Sequence, residues 1–308
     1  MINYIKMMRL DHWIKNTFIL PGSILAVLVS DVNITTNLFF DVTLALISSS
    51  LIASANYTIN EWLDRGQDAM HPDKKSRPAV LGLVRKSGVM VSFSLLALSG
   101  LALAGTLNKL VFLLCLIFLV SGLVYNVSPI RAKDLKYIDV LVESINNPIR
   151  LYIGWFAVVE NSLIPLSLVL SYWFFGAFLM NSKRITDFFK FDSQEDRAAF
   201  RPSLAGYDIN MLYTLGMVYA SLSTSMFLTF SVRYKNELIL MLPLIVFTFA
   251  FYFKNSLGTM SFASDPERIM RKPIFGIFVV ISGIFLYYLL NVELETLDRI
   301  LFLSNRFK

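Results

Sequence analysis

Asn60-Glu61-Trp62-Leu63-Asp64-Arg65-Gly66-Gln67-Asp68 stands where an apolar run gives way to a polar loop. Its Asn60, Asp64 and Asp68 recur at intervals of four. On a helix, residues four apart share one face, so this spacing predicts an amide and two carboxylates aimed at a common point. Such oxygen donors suit magnesium, which keeps part of its water shell and commonly completes its coordination with substrate phosphates. The plain alternative is a solvated helix end. The loop that follows favours phosphate, because His71-Pro72-Asp73-Lys74-Lys75-Ser76-Arg77-Pro78 supplies compact and forked cationic donors within a few residues.

Outward from this stretch the chain is mostly membrane. Of 308 residues, 56% are hydrophobic and only 16% charged, and the mean hydropathy is +0.60. Soluble globules carry about a quarter charged residues. Runs free of Asp, Glu, Lys and Arg cover 42–60, 87–108, 110–130, 161–182 and 209–232, each about long enough to cross a hydrocarbon core of roughly 30 Å. Weaker candidates are 16–30, extendable past Asp31, then 137–159, 238–253 and 274–292. The expected architecture is therefore all-α and polytopic, with nine transmembrane helices. No linker, low-complexity run or soluble insert interrupts them, so 1–308 reads as one integral-membrane domain. The first apolar run has no small-residue cleavage signature and reads as a retained span.

Basic residues set the expected orientation, since Lys and Arg in short loops stay on the cytoplasmic side. With the N-terminus inside, 21 of the 28 basic residues fall on inside segments. Only Lys109, Arg233, Lys235, Arg299, Arg306 and Lys308 fall opposite, and Arg150 lies within a span. This places the chain in the inner or plasma membrane of the cell, with the N-terminus and the active face cytoplasmic and the C-terminus outside. The net charge of +6 is then concentrated on one face, where it attracts anionic lipid or phosphorylated substrates. Nucleic acid is not expected, because no binding domain surrounds the basic loops. A single Cys115 excludes a disulfide framework and a thiolate metal site, and His12 and His71 alone do not make a histidine zinc site.

Two further features stand out. The fifth span carries Asp139, Glu143, Asn147 and Arg150 as one polar helical stripe, and charges at such depth must face a cavity or a partner. Pro148 bends it, or a Glu143–Arg150 arrangement simply ties helices together. In the third span, Ser99, Gly100, Ala102, Ala104 and Gly105 allow close helix packing.

The Asn60-x-x-x-Asp64-x-x-x-Asp68 signature resembles the UbiA superfamily of intramembrane prenyltransferases, over nearly the whole chain. The similarity is greatest to its decaprenyl-phosphate phosphoribosyltransferase branch. Arg9-x-x-x-Trp13-x-Lys15-Asn16, His71-Pro72-x-Lys74-x-x-Arg77-Pro78, Ser182-Lys183-Arg184-x-x-Asp187 and Phe200-Arg201-Pro202-Ser203-Leu204 with Tyr207 carry that likeness. The resemblance implies nine helices around a central cavity, a Mg2+ cofactor, and two acidic motifs as its ligands. Asn60, Asp64, Asp68 and Asp187 would then be catalytic and metal-binding, with Asp187 orienting the ribose or a second ion. The second motif departs from the superfamily's dense acidic cluster, and Asp192 with Asp196 is the rival pair. Arg9, Lys15, Asn16, Lys74, Arg77, Tyr125, Arg131, Lys133, Lys183, Arg184 and Arg201 are the expected phosphate and substrate contacts.

On this resemblance the substrates would be phosphoribosyl pyrophosphate and a polyprenyl phosphate lying in the lipid bilayer, with diphosphate released. A prenyl diphosphate with a small or aromatic acceptor is the alternative within the family. A transporter lined by the polar fifth span is the alternative outside it, although the four-spaced acids stand at a helix end rather than at the midplane.

Overall fold

A computed structural model describes residues 2–30, 32–71, 73–257, 273–294 and 297. Asp31 and Pro72, and the basic residues Arg268, Arg271, Lys272, Arg299, Arg306 and Lys308 used above for orientation, lie outside the described residues. The described secondary structure is helical throughout. It divides into two compact units, the first formed by Met1–Ile164 with Phe188–Met211, the second by Pro165–Asp187 with Leu212–Lys308.

The first unit opens with α1 (Ile2–Met7), a 3-10 stretch (Leu10–Ile19) and α2 (Leu20–Val29). Helix α3 (Thr36–Leu63) follows, started by Thr35, whose hydroxyl accepts from the Leu38 N–H at 3.2 Å. At 28 residues it is roughly 42 Å long by the usual rise per residue, and so more than spans a hydrocarbon core. Several of its buried hydroxyls and amides are put to use within the apolar surroundings. Ser48 donates to the Gly100 carbonyl at 2.8 Å, Asn56 to the Phe118 carbonyl at 3.1 Å, and Ser54 both accepts from the Trp13 indole and donates to the Met8 carbonyl. Hydrogen bonds of this kind act as glue between membrane helices.

Helix α4 (Arg65–Asp68) continues α3 after one residue, and α5 (Lys86–Leu107) and α6 (Lys109–Asn126) pack on α3. On α5 the residues buried are Val89, Ala97, Gly100 and Ala104, the last three at steps of three and four. Ser99, Ala102 and Gly105 point outward, so only part of the expected small-residue set makes the packing face.

The fifth span is not one helix. It divides into α7 (Ile138–Ser144) and α8 (Asn146–Phe156). Pro148 has no N–H to offer the Ser144 carbonyl four residues back, and the division falls there. Helix α8 packs against α2 through two glycines: a methyl on Gly22 would strike the Leu151 carbonyl, and one on Gly154 the Ile19 carbonyl. Helices α9 (Leu166–Phe189), α10 (Gln194–Phe200) and α11 (Pro202–Ala205) come next.

In the second unit, Ser171 of α9 and Ser223 of α12 (Ile209–Tyr234) each donate to the other's carbonyl at 2.9 Å. Phe178 of α9 meets Phe249 of α13 (Leu242–Ser256) edge-on at 4.7 Å. Helix α14 spans Pro273–Asn291.

Among the described residues six helical segments are long and apolar enough to cross a membrane: Ile2–Val29, Thr36–Leu63, Lys86–Leu107, Lys109–Asn126, Ile209–Tyr234 and Asn236–Ser256, with Gly276–Asn291 a shorter apolar helix. The expected 137–159 span falls below this length because it is divided. The expected 161–182 span becomes α9, which starts after Pro165 and runs on through Lys183, Arg184 and Asp187.

Candidate active site

The site is built on the junction of α3 and α4. The Asp64 N–H donates to the Asn60 carbonyl at 2.9 Å and the Asp68 N–H to the Asp64 carbonyl at 2.8 Å. The helical ladder thus runs through the junction, and the four-residue spacing keeps its meaning in space. Asp64 and Asp68 line one cleft, together with Gln67, Lys74, Lys133, Asp134, Phe200 and Arg201.

Each carboxylate is held by its own pair of cations. Lys133 bonds Asp64 Oδ1 and also donates to Asn126 Oδ1 at 3.0 Å. Arg131 reaches the same Asp64 oxygen at 3.1 Å and Gln67 Oε1 at 2.8 Å, while its Nε is clamped by Asp134 at 2.6 Å. Arg131 adopts this pose from a left-handed backbone, φ 37°, which a non-glycine residue rarely takes. On Asp68, Arg77 bonds Oδ2 and Lys74 stands 3.6 Å from Oδ1, with its ammonium over the Phe200 ring. The cations outnumber the acids around this cleft.

Burial would raise the Asp64 carboxyl, but Lys133 and then Arg131 and Arg201 outweigh it and hold it below the ordinary carboxylate range. Burial pushes the Lys133 ammonium down to about 8, against the opposing pull of Asp64. Arg77 is likewise lowered by burial and by neighbouring Arg9, with Asp68 acting the other way. All three groups are held in ionic contact inside the protein rather than in bulk water.

The remaining expected residues occupy several places. Arg201 donates to the Tyr125 hydroxyl at 3.0 Å, and Tyr125 donates to Glu143 at 2.6 Å. Arg9 stands 3.6 Å from the buried Glu61 carboxylate and over the Tyr57 ring. Lys15 lies 3.3 Å from His12 Nδ1. Asn16, by contrast, is buried between helices, donating to Ser50 and accepting from Arg150 at 2.9 Å. Arg150 therefore does tie helices together, through Asn16 and by lying over the Phe118 ring.

Lys183, Arg184 and Asp187 belong to the second unit, where Arg184 is fully buried and 3.7 Å from Asp187. Asp192 and Asp196 are exposed. Asp196 accepts from Ser193, the residue that caps α10, which accounts for it as a helix-start carboxylate.

Sequence reasoning passed over Gln67, Asn126 and Asp134 as ligands of the cleft's cations. No spacing marks them, since each acts on a lysine or arginine that reaches it only after the chain has turned. Phe200 could be found only as part of a motif. Among the described residues no three His, Cys, Asp or Glu side chains gather to hold a metal ion. The donors available at the junction are the two aspartates with the neighbouring amides, hard oxygen ligands that fit magnesium with water or phosphate completing the shell.

A family profile described as the UbiA prenyltransferase family matches residues 18–278. The chain belongs to the UbiA prenyltransferase family. Two Mycobacterium tuberculosis strains have a relative named decaprenyl-phosphate phosphoribosyltransferase, 29% identical over 206 residues, which is 66% of this chain and 65% of theirs. The match thus spans slightly less than two thirds of those relatives. A UbiA homologue from Archaeoglobus fulgidus, solved with DMAPP and Mg2+, shares 18% identity with a TM-score of 0.72, covering 94% of this chain and 100% of that one. The apo UbiA homologue from Aeropyrum pernix shares 19% identity with a TM-score of 0.66, over 89% and 99% of the two chains. These likenesses establish the UbiA fold. With the apolar helices, membership of the family makes the protein an integral multi-pass membrane protein.

Proposed function

We propose that the α3–α4 cleft binds the diphosphate of phosphoribosyl pyrophosphate and that the protein transfers 5-phosphoribosyl to a polyprenyl phosphate. The observation that carries this is the set of cations around Asp64 and Asp68: Lys74, Arg77, Arg131, Lys133 and Arg201 converge on one cleft. Two phosphorylated substrates meeting at one place need such an excess of positive charge. The relative named decaprenyl-phosphate phosphoribosyltransferase supports the same reading.

Asp64 and Asp68, with Asn60, would hold magnesium, which when bound neutralises charge on the diphosphate oxygens. Lys74, Arg77, Lys133 and Arg201 would bind the phosphates and stabilise charge as it builds on the leaving group, without a covalent intermediate. An oxygen of the lipid phosphate attacks C1 of the ribose as the bond from C1 to the diphosphate oxygen breaks. The attacking phosphate is already ionised near neutral pH, so no general base is required. That agrees with the two histidines being occupied elsewhere: His71 accepts from the Asp73 N–H and packs on Phe200, and His12 lies beside Lys15 and against the edge of Tyr57. The site faces the cytoplasm in this reading, where the charged donor is supplied.

A second reading is prenyl transfer, in which the lipid carries the diphosphate. The Archaeoglobus homologues solved with DMAPP or GPP and Mg2+ favour it. Purified protein given labelled phosphoribosyl pyrophosphate with polyprenyl phosphate, and separately a prenyl diphosphate with an aromatic acceptor, decides between them. Label from ribose entering the lipid fraction is the expected result. Turnover of the prenyl diphosphate alone would reject it.

A further inference from the structure

Asp139 is fully buried on α7, and nothing in the chemistry above employs it. Its Oδ1 accepts from the Tyr207 hydroxyl at 2.8 Å and its Oδ2 from the Ser203 hydroxyl at 3.1 Å. The same Ser203 oxygen lies 2.8 Å from the backbone carbonyl of Lys133, so its one proton is shared between Lys133 and Asp139. Tyr207 in turn accepts from the N–H of Tyr137 at 2.6 Å, a residue held at φ 68°. The contacts knit three short segments together. They are the Arg131–Lys133 turn, the start of α7, and α11 with Arg201 immediately before it.

We propose that the Asp139–Ser203–Tyr207 node is the positioning device that fixes Lys133 and Arg201 over the cleft. Both cations line it beside Asp64, yet they come from stretches of chain about 70 residues apart, with separations of 70 and 68 for the Ser203–Lys133 and Tyr207–Asp139 bonds. Neither stretch has a long helix of its own to stiffen it: α11 has four residues and the 3-10 turn at Ala132–Asp134 three. A buried carboxylate accepting two hydroxyl bonds gives charge-assisted contacts, stronger than neutral ones. It therefore sets the separation of the two loops where the loops themselves do not. The polar stripe of the divided fifth span thereby acquires a role on both carboxylates, since Glu143, one turn along, holds the Tyr125 hydroxyl that receives Arg201. Asp139, Ser203 and Tyr207 act through these cations and touch no reacting atom.

The inference rests on the reading that Lys133 and Arg201 bind phosphate, and the test separates the two. The probe is labelled inorganic diphosphate with Mg2+, bound to the full detergent-solubilised chain, with the melting temperature of each variant followed in parallel. Tyr207→Phe and Ser203→Ala are each expected to weaken binding by about ten-fold, the size of one charge-assisted hydrogen bond. Should one of them fail to fold, the other gives the same reading. In a background carrying both Lys133→Gln and Arg201→Gln the loss on adding Ser203→Ala should shrink to less than about three-fold, because interacting residues are not additive. An undiminished ten-fold loss in that background would mean a purely structural role and overturn the proposal. So would unchanged binding in both single variants while Lys133→Gln and Arg201→Gln weaken it. If those two cation variants also bind diphosphate as the parent does, the phosphate reading of the cleft falls as well.

Discussion

Asp64 takes both Lys133 and Arg131 on a single oxygen, leaving the charge of Lys133, 2% exposed at its side chain, dependent on one carboxylate. Removing that carboxylate strands a buried cation among other cations, a change that costs about 3–5 kcal/mol in comparable buried pairs. Asp64→Asn is therefore expected to lower the melting temperature of the protein in detergent as well as its turnover. Asp64→Asn combined with Lys133→Gln should recover most of the thermal stability while turnover stays down by about 100-fold or more, the scale of a lost electrostatic contribution to a transition state. Recovery of both together would show that the aspartate serves stability alone. At this scale the sequence made the shared direction of Asp64 and Asp68 legible, because a helix converts spacing into direction. It did not disclose that Arg131 and Lys133 would come down on Asp64, since those partners are 67 and 69 residues away. Pairing at that separation depends on where a whole loop lands.

Among the helices, apolar length was readable, and Pro148 marked the bend in the fifth span without disclosing that the span divides into two helices. The α3, α5 and α12 spans follow from runs of uncharged residues, whereas the division of the fifth span depends on one proline and on polar groups that find partners in three dimensions. Gly22 and Gly154 carry the crossing of α2 and α8, where each presents its missing side chain to the other helix's backbone, and Ser23 donates to the Gly154 carbonyl at 2.9 Å. Gly154→Val should force the helices apart and destabilise the protein by about 1–3 kcal/mol, as overpacking does. Gly66→Ala, where an added methyl meets nothing within 4 Å, should leave stability unchanged or slightly raised. Thermal melts of the two variants check both. Equal melting temperatures would mean that the crossing tolerates separation.

For the molecule as a whole, the excess of Lys and Arg on alternate loops predicts that the cleft opens to the cytoplasm. The lone Cys115 is buried, so a single introduced cysteine reports orientation with little background. Lys75→Cys, at an exposed position in the loop after α4, should react with an impermeant maleimide only in inside-out vesicles, and Lys109→Cys, exposed at the start of α6, only in right-side-out cells. The reverse pattern would place the cleft on the other side and remove the supply of a cytoplasmic donor. The proposed transfer depends throughout on a cation held by Asp64 and Asp68 that grips a diphosphate. Calorimetric titration of inorganic diphosphate into the full chain in lipid nanodiscs, with Mg2+ and then with EDTA, tests it most directly. Binding that is at least about ten-fold tighter with Mg2+, and loses that difference in Asp68→Asn, is the predicted result; equal affinity with and without the metal would contradict it.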